Sequence, residues 1–309
     1  MPVATVELMP PEPISPEDGA EPKPKLSSLP ELLDQLEEED RAAYEARTAG
    51  RPLGAGTGLA GLDHLIGGYL QRGIHVVHGS PGAGKTALAL QIAGDCGCPA
   101  VLVSCEMRPV ELLRRHTARK TATLLGALKN GEMPPSDSLA LARRAAEEAP
   151  HLFLADATRA YADTDFLLSA AARARGSAPD VPHFLLLIDS LHTWASGSPA
   201  ALDEYARLAV HLTALREISQ HLACAIVVVS ERNRQSMEKG GISAGAGHRG
   251  IEYGAETVID LDTAGTPDAN GEQKMLLKVA KNRHGATGQI DMLFHGAFQR
   301  FRNASTDRT

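Results

Sequence analysis

GSPGAGKT, residues 79–86, follows the apolar run GIHVVH and opens the helical pattern KTALALQIAG at 85–94. It fits G-x-x-x-x-G-K-[ST] in the strand–loop–helix setting that gives the pattern its meaning. Glycines let backbone N–H groups turn inward around phosphate oxygens, and the helix N-terminus adds partial positive charge. Gly79, Ser80, Pro81, Gly82, Ala83, Gly84, Lys85, Thr86 and Ala87 are therefore the expected cradle of a nucleoside triphosphate, here taken as ATP. Lys85 is placed to reach the β- and γ-phosphates, and Thr86 to offer its hydroxyl to Mg²⁺.

Working outward from that loop, strand candidates fall at 74–78, 100–104, 152–154, 184–188, 225–229, 257–261 and 275–280. Helical patterns lie between them at 85–94, 109–128, 137–148, 163–175 and 203–222. Such alternation predicts an α/β fold with a mainly parallel sheet and helices on both faces. No internal repeat is evident.

Composition narrows the function. The chain has 309 residues, 43% apolar and 4% aromatic, with a formal net charge of −7. Few aromatics argue against a base-stacking surface, and net acidity means that any nucleic-acid contact needs a local basic patch. The apolar runs are too short to cross a bilayer, and MPVATVELMPPEP lacks the charged and apolar regions of a signal peptide. A cytoplasmic protein without a membrane partner is expected. Cys96, Cys98, Cys105 and Cys224 form no zinc pattern and read as reduced thiols.

The first 27 residues are rich in proline and acids and predict a disordered tail. SLPELLDQLEEEDRAAYEAR, 28–47, reads as a helix, with Ser28 as its cap and Pro30 in its first turn. Leu29, Leu32, Leu33 and Leu36 share a face that packs either on this chain or on a neighbouring subunit. The expected organisation is a tail at 1–27, a linker helix at 28–50, an ATPase domain at 51–302 and a second tail at 303–309.

Hydrolysis needs more than a cradle. A magnesium carboxylate is expected from HFLLLIDS, 183–190, where Asp189 ends an apolar strand at the ligand-binding edge of the sheet. The next residue is Ser190, not the glutamate many P-loop ATPases carry there, so the base that orients water must come from elsewhere. PAVLVSCEM, 99–107, offers Glu106 at the end of another strand, beside the P-loop strand if the sheet follows a simple order.

These segments together resemble the C-terminal ATPase domain of DnaB-type replicative helicases, within the RecA-like group. The likeness runs from about 54 to 302 and includes GTGLAGLDHLIGGYLQRG before the P-loop, VLVSCEMRPVELLRR, LKNGEMPPSD and FLLLIDSLHTW. It implies Glu106 as catalytic base and Asp189 as magnesium ligand. IVVVSERNR, 226–234, is similar to the family strand ending in Ser-Gln-Leu-Asn-Arg, with Glu231 in place of the glutamine that senses the γ-phosphate. A carboxylate there repels the triphosphate unless paired or protonated. Either Glu231 points at the metal or a base, or γ-phosphate sensing is altered. AKNRHGATGQIDMLFHGAFQRF, 280–301, resembles the family's Lys-x-Arg hairpin and its closing strands. The resemblance implies that Lys281 and Arg283 reach a neighbour's γ-phosphate across a subunit boundary, in a ring that is hexameric in the family. The helix at 28–47 resembles the linker helix that docks on the next subunit.

The family's DNA-facing loops correspond to ASGSPAALD, 195–203, and RQSMEKGGISAGAGHRG, 234–250. The first has no basic residue; the second carries Arg234, Lys239 and Arg249 among glycines, a composition suited to tracking a single-stranded phosphate backbone or simply to a mobile surface loop. The family's helical primase-gripping domain has no room before residue 51, which predicts a plasmid, phage or accessory ATPase. Two functions result: a ring helicase or translocase on single-stranded DNA, or a nucleotide-switched RecA/KaiC-like module acting through an unknown protein partner. A small-molecule kinase is disfavoured by the length and by the late Lys-x-Arg hairpin.

Overall fold

The run HVVHG leaves little choice of structure: four apolar or neutral residues in succession with β-branched valines at the centre favour a strand buried on both faces. The computed structural model describes residues 26–198, 202–231, 251–252 and 254–304, with Tyr205 as backbone only. Its strands are β1 (Gly73–Gly79), β2 (Ala100–Ser104), β3 (Leu152–Asp156), β4 (Leu185–Asp189), β5 (Ala225–Glu231), β6 (Thr257–Thr263), β7 (Glu272–Asn282), β8 (Gly288–His295) and β9 (Arg300–Asn303). They form one sheet in the order β3-β2-β4-β5-β1-β6-β7-β8-β9. The six strands from β3 to β6 run parallel, and β7, β8 and β9 extend that sheet antiparallel.

Helices cover both faces. On one lie α2 (Ala60–Ile66), α3 (Lys85–Asp95) and α4 (Pro109–Thr121), packed on Val77, Leu102, Leu187 and Val229. On the other lie α7 (Thr164–Gly176), α8 (Leu191–Ser196) and α9 (Glu204–Leu222), packed on Val76, Val101, Leu186 and Val228. The odd–even split along each strand follows from the two-residue side-chain period. Each fully buried leucine or isoleucine contributes about 2 kcal/mol, so β4, buried at all five positions, is a strong anchor. α5 (Leu125–Lys129) and α6 (Pro135–Glu147) follow α4.

Several expectations need correction. The helix expected over 109–128 breaks at Ala122, whose φ is +51°. The helices α2 and α8 are additional elements, while β8 and β9 are the closing strands that the resemblance at 280–301 implies. β2 does not lie beside the P-loop strand: β4 and β5 stand between them.

The chain divides into two units, at 1–49 and 50–309. In the first, a 3₁₀ turn (Pro30–Leu32) leads into α1 (Leu33–Thr48). Ser28 gives no side-chain cap; its backbone N–H donates to Glu31 Oε2 at 2.8 Å. α1 buries no residue, and Leu29, Leu32, Leu33 and Leu36 are exposed. The tails expected at 1–27 and 303–309 fall mostly outside the described residues.

Candidate nucleotide site and the opposite sheet edge

β1 delivers the chain to the loop at 80–84, and α3 begins at Lys85. Gly82 and Gly84 hold φ of +80° and +89°, left-handed values that strain a residue with a Cβ. A Cβ on Gly84 would also meet Phe301 Cζ at 3.1 Å. No side chain caps α3, which leaves its first-turn N–H groups to an anion. The loop borders a cleft of about 330 Å³, lined also by Glu106, Arg115, Asp189, Ser190 and Glu231.

Lys85, 8% exposed, donates to the carbonyls of Gly79 and Ser80 at 3.0 Å each. Glu231 ends β5 level with Gly79 on β1, and its Oε1 lies 3.9 Å from Lys85 Nζ. The unusual acid therefore faces the P-loop lysine. Thr86 and Asp189, the last residue of β4, line the same cleft, and Asp189 is 3% exposed. Burial pushes the Asp189 carboxyl up to about 6; the nearby Thr86 hydroxyl opposes this and the Glu106 charge adds to it.

A hydroxyl and a buried carboxylate lining one cleft are hard oxygen donors, which fits Mg²⁺. No group of three or more His, Cys, Asp or Glu that could hold a metal occurs among the described residues.

Glu106 lies two residues past β2, and its Oε1 accepts from Ser190 Oγ at 2.7 Å and from Thr193 Oγ1 at 3.0 Å. Ser190 stands where many P-loop ATPases carry a glutamate, and here it holds one from the adjacent strand. Sequence reasoning misses Ser190 and Thr193 as positioning residues; their hydroxyls just after Asp189 are the available signal. Arg115 on α4 donates to Gln299, between β8 and β9, and both line the cleft with Phe294. Their separation along the chain conceals that contact.

Lys281 and Arg283 lie at the other end of the sheet. Asn282 pairs with Thr257 at the start of β6, whereas Leu261, near its end, pairs with Gly79. Arg283 N–H donates to Glu256 O, and Glu256 N–H to Ile74 O. Five residue steps along β1 separate Ile74, level with Glu256 and Arg283, from Gly79, about 17 Å at 3.3 Å per residue. The two cations also differ. Arg283 is half exposed, with Nη1 3.5 Å from Glu256 Oε1. Lys281, expected to project beside it, turns inward and donates to Glu252 O at 2.8 Å and Ala255 O at 2.7 Å. Burial, then the neighbouring Arg283, hold its ammonium below the usual lysine range. Arg234, Lys239 and Arg249 lie outside the described residues, as do residues 199–201 of the other loop.

The family of DnaB-like helicase C-terminal domains matches residues 54–303. A replicative DNA helicase DnaB of Treponema pallidum (strain Nichols) is 27% identical over 282 residues, covering 88% of this chain and 60% of that protein. A solved DnaB-like replicative helicase, described with its interactions with primase, aligns with a TM-score of 0.72 at 19% identity, covering 91% of this chain and 68% of that one. A second solved structure, described as an ATPase domain, aligns with a TM-score of 0.70 at 19% identity, covering 91% of this chain and all of that one. The chain spans 56–60% of the length of the curated relatives it matches.

Proposed function

This chain belongs to the family of DnaB-like helicase C-terminal domains, and from that premise we propose that it is the ATP-hydrolysing motor of a ring that translocates on single-stranded DNA. One observation carries the reading: the P-loop, Asp189 and Glu106 share one edge of the sheet, while Arg283 stands about 17 Å away at the other. Arg283 therefore cannot serve the phosphates held by its own chain. Head-to-tail association brings it to the next copy's cleft, and such contacts close into rings.

In this reading the residues at 79–87 bind the phosphates, and Lys85 leaves the Gly79 and Ser80 carbonyls to meet the β- and γ-oxygens. Thr86 and Asp189 hold Mg²⁺, which when bound neutralises charge on those oxygens. Glu106, oriented by Ser190 and Thr193, takes the proton of the attacking water. Arg283 from the neighbour offsets negative charge gathering on the γ-phosphoryl oxygens. Lys281 fixes the segment before β6 rather than reaching out. The helix α1, with its exposed leucines, is assigned to the linker at 28–50 that docks on the next copy, and the ATPase domain to 51–302. A hexamer, a single-stranded DNA path along 234–250 and a cytoplasmic location belong to the same proposal. Among the described residues no helix is long and apolar enough to cross a membrane.

The test is steady-state ATP hydrolysis against protein concentration, with and without single-stranded DNA, at low salt. Specific activity that rises with concentration and again with DNA is expected. Turnover indifferent to both would refute the ring translocase and leave a nucleotide-switched module.

A further inference from the structure

At the edge of the sheet opposite the P-loop, Arg283 is one wall of a cavity of about 560 Å³. Arg72, just before β1, and Arg216, on α9, form the other walls with Ser219, Gly254 and Glu256. Three arginines thus line a hollow whose lining contains one acid. Glu256 is shared between Arg283 and His284, whose Nε2 lies 2.7 Å from Glu256 Oε2. The positive field extends further: Arg283 and Arg216 both press the Lys281 ammonium down. Like charges gathered this closely repel one another unless an anion joins them.

The backbone is shaped for one of the three. A Cβ on Gly254 would overlap an Arg216 terminal nitrogen, so only glycine lets that guanidinium lie across the chain there. The glycine gives Arg216 its seat at the wall of the cavity.

We propose that Arg216, with Arg72 at the rim, completes with Arg283 a polyphosphate receptor that takes the terminal phosphate of a nucleotide bound in the P-loop of a second copy. The inference rests on the head-to-tail reading of Arg283 and adds a second cation to the shared site. Two guanidinium groups can contact separate oxygens of one phosphoryl group, each through paired N–H donors. A free polyphosphate has the same chemistry, and the experiment separates the two sources.

The variants are Arg216→Ala, Arg216→Lys and Arg283→Ala, each in the full chain. Nucleotide affinity is measured with a fluorescent ATP analogue, turnover by ADP release, and mixtures with wild type across a range of ratios. Arg216→Ala is expected to bind nucleotide within about twofold of wild type, to lose at least about tenfold in kcat, and to poison wild-type subunits in mixtures. Arg216→Lys should recover part of kcat, since a lysine supplies charge without the fork. If Arg216→Ala does not fold, as judged by its melting curve, Arg216→Lys must still poison mixtures. Normal turnover, or loss in simple proportion to dilution, overturns the proposal. Inorganic tripolyphosphate is also titrated into Lys85→Ala: binding that disappears in Lys85→Ala/Arg216→Ala would assign the cavity to a free anion and overturn the second-copy reading. Arg283→Ala separates the failures. If it poisons and Arg216→Ala does not, only this inference falls; if neither poisons, the head-to-tail reading falls with it.

Discussion

Replacing Glu231 by glutamine removes one charge from the P-loop lysine without changing size. The carboxylate lies 3.9 Å from Lys85 Nζ. Two unit charges at that distance attract by about 1 kcal/mol in bulk water and about 4 kcal/mol at an effective dielectric near 20. The Glu231 side chain is 55% exposed, so the lower figure governs. In the wild type, Lys85 must leave this partner to meet the phosphates, and the carboxylate then faces the incoming γ-phosphate with like charge. Each effect is worth about 1 kcal/mol, and a tenfold change in affinity is about 1.4 kcal/mol. The two together amount to about 2 kcal/mol, so Glu231→Gln should bind a non-hydrolysable ATP analogue about thirtyfold more tightly. ADP lacks the γ-phosphate and should gain only about threefold to fivefold. Isothermal titration of both nucleotides with Mg²⁺ at low salt gives the two ratios, and salt should shrink the difference. Weaker binding of the ATP analogue would refute the reasoning and make Glu231 a ligand of the metal. An unchanged ratio of the two affinities would refute the repulsion alone.

Glu106→Gln should keep ATP binding and lose turnover by at least about 10²-fold, read as kcat with an unchanged nucleotide Kd. Ser190→Ala removes one of the two hydroxyls on Glu106 and should lower kcat by about tenfold at unchanged Kd; an equal fall in affinity would show that Ser190 acts on binding instead. Arg283→Ala should bind ATP normally and poison wild-type subunits, whereas inhibition proportional to its fraction would place its effect within one chain. Stability should fall on acidification. Burial holds His75 and His116 near 4, below the ordinary 6.5. The unfolded chain then binds protons that the native state refuses as pH drops through that window, costing about 2 kcal/mol per histidine between pH 7 and 5. Asp189, raised to about 6, takes a proton earlier in the native state and offsets about 1 kcal/mol of this. Urea midpoints at pH 7 and 5 should differ accordingly, and equal midpoints would show that the histidines become charged in the fold.

Some of this molecule is legible in the chain and some is not, for physical reasons. The strands β1, β2, β4, β5 and β6 announce themselves because burial on both faces demands unbroken apolar runs, as in LLLID. α2 and α8 span seven and six residues, too few for a 3.6-residue period to emerge. Ala122 breaks a helix without the usual glycine signal: it takes the left-handed cap position itself, with its N–H donating back to Ala118 O. Strand order is a long-range property, which is why a simple order puts β2 beside β1 while the fold sets two strands between them. The P-loop, Asp189 and Glu106 are readable as residue types at strand ends. The hydroxyls that steady Glu106, and the inward turn of Lys281, depend on what lies across the sheet.

The antiparallel ribbon of β7, β8 and β9 has a consequence for the proposed head-to-tail assembly. Its β8–β9 end supplies Phe294 and Gln299 to the nucleotide cleft, and its β7–β8 end carries Arg283 at the far edge. The eleven residues of β7 measure about 35 Å, and their ladder to β6 forbids stretching. The ribbon is thus a ruler: it fixes the spacing between the two faces of the chain, and, in the head-to-tail assembly proposed above, it would set the pitch at which one copy follows the next. Inserting residues into β7 would leave both faces intact and put them out of step.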